Sequence, residues 1–255
     1  MSALLFGCAT IGNAFSTAEN TSALFDTLKT CRINYLDTAA VCLPSNPGVP
    51  ERLIGAANAA EKGFTIDTKI KVRGDDPGHG SLKKEAINES VANSLEVLGV
   101  GQIGLSNYTV GQVEEFLSVC DKNGWVKPTI YQGQYNAVCC KREKELLPLL
   151  RKHGNIESPL AGGFLTGNFS VGNDVSGTRF AEDNPGSGIF KKIYDKQVMN
   201  LAIKDLHTFL QQRDISLAEA SLRWLYHHSA VETEDGLILG ATKVAQLEKN
   251  KPEIA

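Results

Sequence analysis

Short apolar runs alternate along the chain with longer segments of helical periodicity. Runs of β-forming residues predict strands; they cover residues 4–9, 33–36, 64–70, 102–107, 128–132 and 236–240. Apolar residues at every third or fourth position predict helices; these cover residues 17–30, 51–61, 81–99, 141–153 and 194–213, and three more begin near 109, 216 and 242. Thr109 with Gln112, and Ser216 with Glu219, match the capping-box pattern of a helix start.

The order of strand, helix and strand is typical of parallel strands joined by right-handed crossovers. The sequence contains no repeat, no low-complexity tract and no linker, so we expect one domain over residues 1–255. Glycine and proline recur between residues 158 and 194 with almost no periodicity, which predicts a long loop. Pro148 predicts a kink or a break in the helix over 141–153.

Two charged residues follow buried strands. Asp37 ends the strand over 33–36 and precedes Thr38 and two alanines, and Lys69 lies at the end of the strand over 64–70. Carboxyl ends of parallel strands meet at one edge, so both side chains are candidates for a shared cleft. The alternatives are that Asp37 only binds local backbone and that Lys69 is an ordinary lysine at a strand end.

Net charge, hydrophobic runs and cysteine spacing argue against several classes of function. A formal net charge of -3 over 255 residues gives no basic field for a nucleic-acid backbone. No run approaches the ~18 apolar residues of a membrane span, and the first residues lack a secretion-signal pattern. The six cysteines form no CxxC pair and no zinc-ligand spacing, so we expect reduced thiols, no metal site and a cytoplasmic protein.

Six short motifs occur in a recognisable order: LDTA at 36–39, DTK at 67–69, GLSNY at 104–108, YQ at 131–132, SPLAGG at 158–163 and ILGA at 238–241. In this order they resemble the aldo-keto reductase family, and within it the fungal relatives of the aflatoxin-aldehyde reductases. The resemblance implies a (β/α)8 TIM-type barrel that binds NADPH without a glycine-rich phosphate loop. It also implies hydride transfer from the nicotinamide to an aldehyde or ketone, so the expected partner is a small carbonyl substrate.

The resemblance also implies roles for individual residues. Asp37 and Lys69 match the family's aspartate and lysine, and Cys42 stands where the family has its proton-donating tyrosine. The residues that match contacts to the nicotinamide carboxamide are Ser106, Asn107 and Gln132. Those that match contacts to the pyrophosphate are Ser158 and Leu160, and those at the adenosine end are Gly240, Ala241, Thr242, Gln246 and Asn250.

The chain departs from the family pattern in three places. A cysteine replaces the tyrosine at position 42, and a thiol is both shorter and more acidic than a phenol. Residues 99–103 join a helix directly to a strand, which leaves no room for one strand-helix unit and for the catalytic histidine that it carries. The strand before Ser158 is reduced to residues 155–157, with Glu157 where the family has a stacking aromatic residue. We therefore expect an incomplete barrel.

The sequence is compatible with three functions. The first is an NADPH-dependent aldo-keto reductase that reduces aldehydes or ketones. The second is a catalytically silent or truncated relative that binds NADPH or a partner, which the cysteine at position 42 and the missing unit favour. The third is a redox-sensing thiol at Cys42 beside Lys69.

Overall fold

The computed structural model describes residues 3–40, 42, 46–69, 84–99, 103–152, 165–176, 178, 180–184 and 187–247. The strands within these ranges are β1 (Ala3–Gly7), β2 (Tyr35–Asp37), β3 (Thr65–Lys69), β4 (Ile103–Ser106), β5 (Ile130–Gln132) and β6 (Gly236–Leu239). The α-helices are α1 (Ala18–Thr30), α2 (Val49–Ala56), α3 (Lys84–Leu98), α4 (Val110–Asn123), α5 (Leu146–Leu150), α6 (Ser187–Tyr194), α7 (Gln197–Gln211) and α8 (Leu217–His227).

All six strands form one parallel sheet in the order β5-β4-β3-β2-β1-β6. Strands that are parallel and consecutive need crossovers, and α1 and α2 supply them between β1, β2 and β3. Strand β3 pairs directly with β4, with Lys69 opposite Gly104. The chain therefore brings these two strands together without an intervening strand.

The sheet is curled. Ile130 on β5 packs against Leu5 on β1 and Ile238 on β6, although β5 and β6 are the outermost strands in the sheet order. A flat sheet would hold β5 and β1 four strands apart, so this contact requires the sheet to bend around an interior. The result is an α/β fold with a six-stranded half-barrel, which agrees with the predicted incomplete (β/α)8 barrel.

Alternating side chains divide the strands between two faces. Phe6, Leu36 and Ile66 point outward into a core that includes Leu24 and Phe25 of α1. A second outer core packs β4 and β5 against α4 and α5; it contains Leu105, Val113, Leu117, Tyr131, Leu146 and Leu150. Because these outward positions are apolar, the alternate positions of β2 and β3 face the interior of the half-barrel.

The helix predicted over 51–61 is shorter in the structure, where α2 spans Val49–Ala56, and two other predicted elements differ in kind. The segment Ser187–Tyr194 forms α6 and is not part of a long loop, because Phe190, Ile193 and Tyr194 pack at helical spacing against the core around Leu165. The helix predicted over 141–153 is broken into the 3-10 turn Lys141–Glu143 and the short α5. The glycine and proline residues near α6 concealed its helical spacing. Pro148 has no N–H to donate to the preceding turn, which agrees with the predicted break before α5.

The two helix starts predicted from capping patterns, at Thr109 and Ser216, are capped in the structure. Thr109 and Gln112 form a reciprocal capping box at α4, and the Ser216 hydroxyl accepts the Glu219 N–H at α8. The shortened strand predicted at 155–157 lies outside the described residues. Within the part of the chain that the structure describes, no helix is long and apolar enough to cross a bilayer.

Candidate active site

Asp37 and Lys69 meet at the carboxyl end of the sheet. They end the neighbouring strands β2 and β3, and the Lys69 ammonium donates to Asp37 Oδ1 and, over 2.9 Å, to the carbonyl oxygen of Thr38. Both side chains are almost fully buried, with 5% and 4% exposed. The two residues that the sequence proposes as partners therefore form a buried ion pair.

A second set of polar side chains continues this pair across the interior. Gln132 at the end of β5 donates from Nε2 to Asp37 Oδ2 over 2.7 Å. Ser106 Oγ donates to Gln132 Oε1 at 3.5 Å, and Asn107 Nδ2 donates to Ser106 Oγ at 3.0 Å. One hydrogen-bonded row thus runs from Asn107 to Lys69, and it crosses from β5 to β2 only because the sheet is curled.

The backbone at Asn107 helps to turn this row toward the surface. Its φ of 64° lies in the left-handed region, which asparagine tolerates better than most residues. The Asn107 N–H donates to the carbonyl oxygen of Gln132 at 3.2 Å, so the turn is fixed to β5. The side chain is exposed, which leaves its amide accessible from solvent.

A cavity of about 380 Å³ opens beside the row. Its wall includes the predicted residues Asp37, Cys42, Lys69, Ser106, Asn107, Gln132 and Gly240. It also includes Cys8, which lies in a 3-10 turn directly after β1. The cavity is large enough for part of a cofactor or for a small substrate.

Burial dominates the electrostatics of this cavity. Burial raises the pKa of Asp37 above its ordinary value, and the adjacent Lys69 ammonium opposes that rise. Burial also raises the pKa of the Cys8 thiol well above its ordinary value, and the nearby Cys42 and Asp37 add to the effect. Cys8 is therefore a neutral thiol, whereas the paired charges are concentrated at Asp37 and Lys69.

Cys42 lies on the cavity wall and is partly buried. Its backbone N–H donates to the carbonyl oxygen of Ala39 at 3.0 Å, so the chain turns back toward the cavity just after β2. The Cys42 side chain therefore shares the cavity with the Asp37–Lys69 pair.

The predicted adenosine-end residues lie after β6. Gly240 lines the cavity, whereas Ala241, Thr242 and Gln246 are not among its lining residues. Gln246 Oε1 accepts the backbone N–H of Thr242 at 2.8 Å, so these residues form a compact helix start. A Cβ added at Gly240 would meet nothing within 4 Å, so the backbone there is open to a ligand. Ser158, Leu160 and Asn250 lie outside the described residues.

Asp67 is a polar residue beside Asp37, outside the cavity wall, and the sequence motifs did not mark it as functional. Its side chain is fully buried, directly opposite Asp37 in the pairing of β2 and β3. The available signal was its position two residues before Lys69, which puts both side chains on one face of the strand. No cluster of three or more possible metal ligands occurs among the described residues.

Comparison with known proteins gives a family match over most of the chain. A model of the aldo/keto reductase family matches residues 3–103 and 99–252. The two matched segments overlap at residues 99–103, the short connection at which a strand-helix unit is predicted to be missing. The overlap ends at Ile103, the first residue of β4, which pairs with Thr68 of β3.

Individual relatives agree with the family match. The chain is 29% identical to an aldo-keto reductase of Pseudocercospora fijiensis, with 89% of each chain covered. It is 38% identical to aflatoxin B1 aldehyde reductase member 2 of Rattus norvegicus over 58% of this chain, and the match spans only 44% of the rat protein.

The alignment with oxidoreductase sirO of Leptosphaeria maculans shows internal gaps. It is 26% identical and covers 98% of this chain and 88% of the relative. It extends over 298 positions, whereas the chain has 255 residues, so at least 43 positions (298 minus 255) have no counterpart here. Members of the matched family generally use a nicotinamide cofactor to act on small carbonyl compounds. The chain belongs to the aldo/keto reductase family.

Proposed function

We propose that the protein is an NADPH-dependent reductase that converts aldehydes or ketones to alcohols. The observation that carries the proposal is the continuous row of hydrogen bonds from Asn107 through Ser106, Gln132 and Asp37 to Lys69 along one cavity wall. Its amide and hydroxyl groups suit a carboxamide, and its ion pair suits a carbonyl oxygen.

The residues present fit the nicotinamide end of the cofactor. A carboxamide has one acceptor oxygen and two N–H donors, and the side chains of Ser106, Asn107 and Gln132 offer both kinds of partner. The Asn107 amide is exposed and uses one N–H toward Ser106, so its oxygen is accessible to a ligand. Ser158 and Leu160 would contact the pyrophosphate.

The turn after β6 would hold the adenosine end. We assign this contact to Gly240, Ala241, Thr242, Gln246 and Asn250. Bound NADPH supplies the hydride that reduces the carbonyl carbon.

The protein's own groups would polarise the carbonyl. The Lys69 ammonium has three protons, two of which are directed to Asp37 and to the carbonyl oxygen of Thr38. Its third proton can hydrogen-bond a carbonyl oxygen in the cavity and stabilise the negative charge that develops there. Asp37 fixes the ammonium in place, and Cys42 on the cavity wall would donate the proton that the alkoxide oxygen takes up.

The test combines cofactor binding with turnover. Purified protein is mixed with NADPH and 4-nitrobenzaldehyde, while protein fluorescence reports binding and nicotinamide absorbance reports oxidation. We expect quenching with slow turnover, and we expect Cys42→Tyr to raise kcat by about 100-fold or more, the usual scale of a positioned proton donor. Binding without turnover in both proteins would contradict the reductase proposal.

A second candidate is a relative that binds NADPH without catalysis. Two points favour it. Cys42, on the cavity wall, stands where the family resemblance implies a proton-donating tyrosine, and β3 pairs directly with β4 in a sheet that forms only a half-barrel. The same experiment separates the two functions. Quenching by NADPH without turnover in the wild-type protein, together with turnover in Cys42→Tyr, would identify a binding protein with an otherwise intact site.

A further inference from the structure

Asp67 is a buried acid directly beneath the Asp37–Lys69 pair. It lies opposite Asp37 in the strand register and two residues before Lys69 on β3, so all three charged side chains share the inner face of the sheet. The intervening Thr68 points outward, where it donates to Glu51 of α2 over 2.6 Å. Asp67 has no exposed surface, and neither of its carboxylate oxygens has a hydrogen-bond partner within the described ranges.

The charges around Asp67 do not balance if it is ionised. Asp37 and Asp67 are two carboxyl groups beside a single ammonium, and Lys69 is already engaged with Asp37. The register partners of β3 on β4 are Ile103 and Gly104, which carry no charge. A buried carboxylate without a counter-charge is costly, and two carboxyl groups that share one cation cannot both ionise easily.

The shift in the pKa of Asp67 agrees with this excess of carboxyl groups over cations. Burial, reinforced by the charge of Asp37 and opposed by Lys69, raises the pKa of Asp67 from 3.8 to about 7. The charged groups that act on Asp67 are therefore Asp37 from β2 and Lys69 from its own strand.

We propose that Asp67 is a positioning residue that holds a proton at mildly acidic pH and so leaves the Lys69 ammonium to Asp37 and the cavity. For the effect on turnover, this inference rests on the proposed reductase function. When Asp67 loses its proton, it becomes an anionic acceptor on the same face of β3. It then competes for the third Lys69 proton and draws the ammonium inward, away from a substrate oxygen.

Infrared spectroscopy of the substrate-free protein tests the proton directly. A protonated carboxyl has a carbonyl stretch separate from that of a carboxylate, and ¹³C labelling of aspartate shifts this band and identifies it as aspartate. We expect a labelled band that disappears with a midpoint near pH 7 and is absent in Asp67→Asn. Asp235→Asn is the matched control, because Asp235 is equally buried but accepts from Arg151 and from the Glu232 N–H; this variant should keep the band.

Coupling through Lys69 gives a second readout. In Asp37→Asn, the ammonium loses its anionic partner, so Asp67 should ionise and the band should vanish at pH 6. A wild-type protein without the labelled band at pH 6, or a band that persists in Asp67→Asn, would overturn the proposal. A band that stays in Asp37→Asn would show that Asp67 does not respond to Lys69 and would overturn it as well.

Turnover supplies the third readout. Wild-type kcat/KM should fall by about tenfold per pH unit above pH 7, the slope of one required proton, and Asp67→Asn should move this alkaline limb to higher pH. An unmoved limb would contradict the positioning role. Absence of NADPH binding and turnover at every pH would instead contradict the proposed function, and the infrared result would still decide the protonation of Asp67.

Discussion

The stability of Asp67→Asn relative to the wild-type protein should rise as the pH rises. Asparagine has the size of a protonated aspartate and no ionisable proton, so it mimics the neutral acid. The wild-type carboxyl is fully buried without a hydrogen-bond partner among the described residues, and it must give up its proton in this environment at high pH.

The magnitude follows from the pKa. A rise from 3.8 in the unfolded chain to about 7 in the folded protein corresponds to about 4 kcal/mol, since each pKa unit is worth 1.36 kcal/mol. Between these two values the folded state binds a proton that the unfolded state has lost. The wild-type free energy of unfolding therefore falls as the pH rises and stops falling above about pH 7.

Urea unfolding of both proteins across the pH range measures this effect. The free-energy difference, Asp67→Asn minus wild type, should grow by roughly 2 to 3 kcal/mol between about pH 5 and pH 8. Asp235→Asn, which removes a buried aspartate paired with Arg151, is the matched control, and the growth should be specific to Asp67→Asn. A difference for Asp67→Asn that stays constant with pH would refute the reasoning.

Two further substitutions test the packing and the ion pair. Lys69→Met leaves a buried carboxylate without its cation and should lower the free energy of unfolding by about 3 to 5 kcal/mol. Lys127→Met, the control, removes a surface ion pair and should lower it by less than about 1 kcal/mol. Equal losses in the two variants would contradict the burial of the Asp37–Lys69 pair. Gly55→Ala puts a methyl 2.3 Å from a backbone oxygen of α3 and should cost about 1 to 3 kcal/mol. Gly111→Ala, which meets nothing within 4 Å, should leave thermal stability equal or higher, and a matching loss in both glycine variants would argue against close contact of α2 with α3.

Much of the site could be predicted from the sequence because parallel strands place their carboxyl ends together. Asp37 and Lys69 each follow an apolar strand, and the alternating order of elements is enough to bring such strand ends to one edge. The contact between Gln132 and Asp37 could not be derived in this way. It depends on how far the sheet curls, which is set by packing between residues distant in sequence.

Asp67 was missed for a related physical reason. In a sheet with one solvent-exposed face, the polar residues that alternate with apolar ones face solvent. This is the ordinary interpretation of the pattern over 64–70. In a curled sheet the second face is an interior, so the same alternation buries the acid beside Lys69. Helix α6 was missed because glycine and proline nearby concealed the helical spacing of Phe190, Ile193 and Tyr194.

Isotope transfer tests the central claim most directly. The protein is incubated with NADPH carrying deuterium at the transferable position of the nicotinamide, together with 4-nitrobenzaldehyde, and the alcohol is analysed by mass spectrometry. If the row from Asn107 to Lys69 orients a nicotinamide for hydride transfer, the alcohol should carry one deuterium on its carbinol carbon. Alcohol without deuterium, or no alcohol from wild type and from Cys42→Tyr, would contradict the account.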